Sequence, residues 1–299
     1  MELKRLSLSD RKVFEQFLGL REHELSVYSF ANIYIWRSLF DIGWQNIEGD
    51  LCVFFRDSTG CFLYLPPLGE KISSSSIEES FRYMDAVNKN HAVSRVENLE
   101  EKDCPALEKS GYRVSPKPPE YLCSRELLEG LKGDSFKSKR ASVNYFNKHY
   151  RSRYLEFRPS MSRECLELYK LWSGQRASVN SDRVYCGMLK DCAAVLEGAL
   201  ADFDKLGILA RIVEVDGRIR GFTAGFEINR ETFCVLYEFT DLSAKGLSQH
   251  IFRSFCREMK RYKYINIMDD SGLDNLKAVK DSYRPSRMVR AFIADRRNG

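Results

Sequence analysis

The residues best suited to chemistry lie in one stretch, Lys263 to Pro285, which reads KYINIMDDSGLDNLKAVKDSYRP. Its apolar start predicts a short strand, Tyr264–Met268, carrying Asn266. Asp269 and Asp270 place two carboxylates at the strand end, and Gly272 opens a predicted helix that carries Lys277 and Lys280 on one face. Ser271 with Asp274 has the spacing of a capping box, which predicts the helix start. Pro285 predicts its end, because the residue before a proline is driven out of helical conformations. Acids, an amide and lysines at a strand–helix junction suit an anionic or carbonyl-bearing substrate. Asn266, Asp269 and Asp270 are therefore candidates for substrate binding, one aspartate being free for this if the other caps the helix. Lys277 and Lys280 either meet a phosphate or are solvated. Tyr283 closes the helix; a phenol of pKa about 10 can protonate a departing thiolate or alkoxide, and the alternative is a packed core tyrosine.

A second candidate is Glu238, near the end of the run Thr232–Phe239 and flanked by Tyr237 and Phe239. Desolvation by those rings would raise its pKa toward that of a general base; the alternative is a structural carboxylate. The four histidines and nine scattered cysteines show no metal-ligand spacing, so no metal is expected, and no phosphate-binding loop or nucleophile elbow is present.

The elements that must position these groups are clearest in the second half. Ile208–Val215 and Ile219–Ile228 predict a hairpin closed by Asp216-Gly217, followed by the strand Thr232–Phe239. Leu247, Ile251, Phe252, Phe255 and Met259 repeat with a helical period. Upstream, Ser162–Trp172 and Tyr185–Phe203 read as helices, and downstream Met288–Ala294 as a last strand. Helix, helix, three antiparallel strands, helix, strand, helix, strand is the element order of the acetyltransferase (GNAT-type) fold. In that fold Ala244-Lys245-Gly246 opens the helix whose amides hold the pyrophosphate of acetyl-CoA, which makes Lys245 and Gly246 candidates for cofactor binding. A richer glycine loop is usual there.

The first half predicts a hairpin over Leu51–Phe55 and Phe62–Leu65, helices over Ser76–Asn88 and Glu97–Ser110, and a strand His91–Val96 between them. It ends with Gly111-Tyr112-Arg113-Val114 leading into Tyr121–Ser124. The two halves read as divergent copies: an α+β chain of two tandem GNAT-like domains, 1–125 and 126–299, each a mixed, mostly antiparallel sheet flanked by helices. The active site is expected in the second copy.

The chain has 299 residues, 43% hydrophobic and 30% charged, which are globular values. No apolar run approaches the roughly 20 residues of a membrane span, and MELKRLSLSDRK lacks a secretory apolar core. Most cysteines sit in apolar settings, which fits a reduced, cytoplasmic protein. The net charge of +5 conceals a basic segment, 132–163, with nine Lys or Arg against Asp134 and Glu156 and with interleaved aromatics. It suits phosphates of RNA, of a nucleotide or of an anionic lipid surface, or is a solvated helix face.

Four segments carry a resemblance: YSFANIYIW (28–36), KSKRASVNYFNKHY (137–150), Cys165–Trp172, and Tyr264-Ile265-Asn266 through Asp269-Asp270-Ser271-Gly272-Leu273 to Pro285. With them the chain resembles soluble bacterial proteins similar to the C-terminal domain of phosphatidylglycerol lysyltransferase. These in turn resemble Fem-type transferases that use aminoacyl-tRNA. The resemblance implies a tandem acyltransferase fold and an acyl or aminoacyl transferase moving an aminoacyl group to an amine or hydroxyl of a small-molecule or peptide acceptor. Aminoacyl-tRNA is then the expected donor, held through segment 132–163 with Lys139 and Arg140 at the substrate. The alternatives are an acetyl-CoA-dependent N-acetyltransferase and an inactive binding protein of the same fold. Two departures stand out. The family strand continues Tyr-Ile-Asn-Arg-Glu-Asp-Asp, whereas Ile267 and Met268 fill the Arg-Glu positions here, and Ala141 replaces the asparagine after Lys139-Arg140.

Overall fold

A computed structural model describes residues 1–296 of the protein. Its strands, in chain order, are β1 (Lys4–Arg5), β2 (Asp41–Ile47), β3 (Asp50–Arg56), β4 (Cys61–Leu63), β5 (Arg95–Glu100), β6 (Tyr112–Pro116), β7 (Glu120–Ser124), β8 (Ser152–Glu156), β9 (Leu209–Val215), β10 (Arg218–Asn229), β11 (Thr232–Thr240), β12 (Tyr264–Asn266), β13 (Arg287–Val289) and β14 (Ala291–Arg296). They form two seven-stranded sheets, ordered β1-β2-β3-β4-β5-β14-β6 and β13-β7-β12-β11-β10-β9-β8. The chain divides into two compact units, residues 1–120 with 289 onward, and residues 121–288.

In the first unit, β2 and β3 are joined by Glu48-Gly49, both at positive φ as a tight hairpin turn requires. Cys52 to Phe55 are buried throughout, as expected of a strand covered on both faces. The helix Ser74–Val87 buries Ile77, Phe81 and Met84, and the helix Phe30–Ile35 is buried at every residue. The aromatic run 28–36 is therefore core. The segment 97–100, predicted as the start of a helix, is part of β5. Its glutamates are buried and paired: Glu97 with Arg95 and Lys117, Glu100 with Lys102 and with His23 Nδ1 at 3.0 Å. Tertiary ion pairs outweigh local propensity here.

In the second unit, Asp216 (φ 51°) and Gly217 (φ 76°) close the β9–β10 hairpin as the sequence predicts. The helix Ser162–Val179 runs past the expected end at Trp172, and Arg183–Ala201 is the expected second helix shifted toward the N-terminus. The helix Leu247–Glu258 buries Leu247, Ile251, Phe252, Phe255 and Cys256 against the sheet, the face its period predicts. Strand β12 stops at Asn266, two residues before the expected end.

The last strands differ from the expected arrangement. Tyr121–Ser124, read as the end of the first copy, pairs with β12 in the second sheet. Strand β14, read as the end of the second copy, lies between β5 and β6 in the first sheet. Each copy thus supplies the penultimate-position strand of the other copy's sheet. Both strands are short and largely apolar, so periodicity alone cannot assign them to one sheet.

Candidate functional site

The site is built on one irregularity of the second sheet. Ala224 pairs with Tyr237 but Gly225 pairs with Val235, so Leu236 is an extra residue, a β-bulge in β11. Gly225 makes the bulge possible: a Cβ there would lie 2.0 Å from the Cys234 carbonyl oxygen. Phe233 and Val235 face the helix Leu247–Glu258 and pack in its core cluster. Without the bulge Tyr237 would follow them onto that face; with it, Glu238 does, while Phe239 packs edge-on against Tyr169 of the helix Ser162–Val179.

Beside the bulge the sheet opens. Parallel pairing of β11 with β12 covers only Thr232–Cys234 against Tyr264–Asn266. Among the described residues, no strand pairs with that edge of β11 beyond Cys234. Asn266 ends β12: it is fully buried, and its side-chain oxygen accepts from Met268 N at 2.7 Å, holding Met268 in a left-handed turn (φ 61°).

Glu238 sits at the mouth of this wedge, partly exposed, and Ser248 Oγ donates to its Oε1 at 2.9 Å. Loss of hydration raises its pKa to about 7, against the opposing pull of the Ser248 hydrogen bond and of the ammonium groups of Lys139 and Lys280. Lys139 reaches in from the helix Lys137–His149. Its Nζ lies 3.6 Å from the centre of the Tyr283 ring and donates to Ser282 Oγ at 2.7 Å. Burial lowers its pKa, and Arg284 adds to that, while Glu238 and Cys123 oppose it. Lys280 donates to the Ile267 carbonyl. Tyr283 is buried, its ring 4.7 Å from that of Phe252. Burial first, then the nearby Glu238 carboxylate and the Cys256 and Cys123 sulfurs, hold its phenol well above its ordinary pKa. That phenol can donate a proton but not abstract one. Glu238, Lys139, and the Lys280–Tyr283 turn thus gather from three separate segments at one crevice.

The remaining candidates lie elsewhere or are engaged. Asp270 is buried and accepts from Tyr121 Oη at 2.6 Å and from Gly272 N at 2.9 Å. Asp269 accepts from Ser271 N at 2.7 Å. These two turns replace the expected capping box: Ser271 stands at φ 52°, and the helix Asp274–Asp281 starts after Leu273 with no side-chain cap. Lys277 is exposed on that helix. Arg140 turns back to the carbonyls of Leu131 and Gly133. Lys245 is exposed, its Nζ 4.8 Å from the Tyr145 ring centre. Gly246 (φ 85°) lies so close to the helix Lys137–His149 that a Cβ would meet Ser142 O at 2.1 Å. The loop before it is occupied by its own carboxylate: Asp241 accepts from Ser243 N, Ser243 Oγ, Gln175 and Arg220. Sequence reasoning missed Ser248 and the Gly225 bulge. The signal for the first was a hydroxyl at the second position of a helix facing a strand acid; for the second, glycine within a long apolar strand.

Among the described residues no group of acids, histidines and cysteines has a metal-binding arrangement, and no helix is long and apolar enough to cross a membrane. Seven of the nine cysteines are buried and none is joined in a disulfide.

Comparison with known proteins agrees with this architecture. The model of the family "Phosphatidylglycerol lysyltransferase, C-terminal" matches residues 19–295. A conserved protein of unknown function from Bacteroides thetaiotaomicron superposes with a TM-score of 0.87 at 24% identity, covering 99% of this chain and all of that one. L-PGS from Bacillus licheniformis gives 0.67 at 15% identity over 97% and 93% of the two chains. FemX gives 0.61 at 8% identity over 98% and 97%. No curated protein matches the sequence. The shared fold is a tandem GNAT fold.

Proposed function

The chain belongs to the phosphatidylglycerol lysyltransferase C-terminal family, and on that premise we propose that it transfers an aminoacyl group from aminoacyl-tRNA to an amine or hydroxyl acceptor. The observation that carries the proposal is Glu238, a carboxyl with a pKa of about 7 at the mouth of an open-edged wedge, with the Lys139 ammonium drawn in beside it from the basic helix. A base poised near neutrality can take the proton of an acceptor ammonium or hydroxyl as the nucleophile attacks the ester carbonyl. Lys139 offers positive charge to the oxygen that becomes negative in that step. The bond to the ribose oxygen then breaks, and that oxygen takes a proton from Tyr283, which Glu238 re-supplies. Such a donor places the reaction in the cytoplasm.

The Asp241 loop favours this donor over acetyl-CoA. An acyl-CoA enzyme needs free amides for the pyrophosphate, whereas here Ser243 N is spent on the Asp241 carboxylate and Leu247 N on the Ala244 carbonyl. A carboxylate at that loop repels a pyrophosphate.

The test is to incubate purified protein with a mixed pool of charged tRNAs or with acetyl-CoA, with a panel of amines and polyols as acceptors. The expected result is acceptor-dependent loss of the tRNA ester, reduced at least 100-fold in Glu238→Gln, the usual scale of general-base catalysis. Transfer from acetyl-CoA alone, or none from either donor, overturns the proposal.

A further inference from the structure

The helix Lys137–His149 has an outer face that the crevice does not use. Tyr145 is 36% exposed, and His149 stacks on it with ring centres 4.0 Å apart and planes 20° off parallel. The Lys245 ammonium stands 4.8 Å from the Tyr145 ring centre, and Lys148 is exposed on the same helix. This two-ring platform with adjoining lysines has the composition of a single-strand nucleotide site, where a base stacks on an aromatic ring and lysines meet its phosphate.

Its position relative to Glu238 gives the platform a purpose. Lys245, which covers Tyr145, and Ser248, which holds Glu238, are three residues apart around Gly246. Gly246 presses this turn against Ser142 of the platform helix. One helical turn rises about 5 Å. A nucleotide stacked at Tyr145 would therefore lie beside the turn that carries Ser248, the hydrogen-bond partner of Glu238.

Building on the proposed donor, we infer that Tyr145, His149 and Lys245 form the subsite for the unpaired terminal nucleotide of the charged RNA. The base stacks on an outer face of the Tyr145–His149 pair, and Lys245 neutralises its phosphate.

The experiment measures binding of an aminoacylated RNA minihelix, its ester replaced by a stable amide, by fluorescence anisotropy across 50–200 mM salt. In Tyr145→Ala the affinity should fall about tenfold or more, and in Tyr145→Phe, which keeps the ring, it should stay near wild type. In Lys245→Ala the slope of log affinity against log salt should shrink by about one. Wild-type binding unaffected by Tyr145→Ala overturns the subsite while leaving the donor reading intact. No wild-type RNA binding overturns both. Tyr145-dependent binding of adenosine 3′,5′-bisphosphate without RNA binding also overturns it, pointing to coenzyme A instead.

Discussion

At the scale of single residues, the decisive property is the pKa of Glu238, and it has consequences for both activity and stability. Activity requires the carboxylate, so the acid limb of the pH–rate profile should have its midpoint near 7. Ser248 donates to Glu238 and favours the charged form. In Ser248→Ala the midpoint should move to higher pH, and Ser248→Thr should restore it. An unmoved midpoint in Ser248→Ala would show that this hydrogen bond does not hold the base. For stability the sign runs the other way. The folded pKa of about 7 exceeds the ordinary 4.5, so the folded state binds the proton more tightly than the unfolded chain. Wild type carries no penalty below about pH 4.5, and the full penalty above about pH 7, on the order of 3 kcal/mol. Glu238→Gln should therefore unfold at higher urea than wild type at pH 8, with the difference shrinking toward pH 4.5. Equal midpoints at pH 8 would mean that Glu238 is better hydrated than its surroundings indicate.

At the scale of elements, the crevice depends on how the basic helix docks on the helix Leu247–Glu258. Phe146 contributes to the core cluster with Leu247 and Ile251, and Gly246 permits the close approach. Gly246→Ala combines a Cβ clash with a backbone carbonyl and a left-handed backbone conformation, φ 85°. It should cost about 1–3 kcal/mol by urea unfolding. Gly217→Ala, also at positive φ but in open space, should cost only the backbone term. Equal losses in the two variants would exclude the docking contact as the cause. Such packing also sets the limit of what the sequence could reveal. Tyr283, Glu238 and Lys139 were legible as chemical groups because each has a distinctive side chain in a readable element. Their convergence was not, since Lys139 meets Ser282, the neighbour of Tyr283, across 143 residues of chain. The bulge at Gly225 was illegible because nothing in an apolar strand marks a one-residue slip, yet that slip turns Glu238 to the crevice. Arg140 looked equivalent to Lys139, but one residue along a helix turns a side chain by about 100° and sends it to a loop.

At the scale of the whole molecule, the exchange of β7 and β14 determines which pieces of the chain can fold. The second sheet needs β7, whose residues Leu122, Cys123 and Ser124 pair with Asn266, Ile265 and Tyr264 beside the crevice. The first sheet needs β14, because β6 joins that sheet only through it. A fragment cut at the boundary expected from the sequence, 126–299, lacks β7 yet keeps β14 with no partner strand. It exposes the edge of β12 and the core contacts of Cys123. A fragment of residues 121–288 keeps every strand of the second sheet except the first residue of β7 and the last residue of β13. The fragment 121–288 should unfold cooperatively in urea and bind the RNA minihelix, whereas 126–299 should aggregate or show no transition. The full chain truncated after Val289 should lose the cooperative transition of the first unit, since β5 and β6 then lose their shared neighbour. By contrast, Asp295→Ala in the intact chain removes only an exposed ion pair with Arg113 and should leave that transition in place. Cooperative folding of 126–299 would show that β7 is dispensable and that the crevice is held by the helices alone.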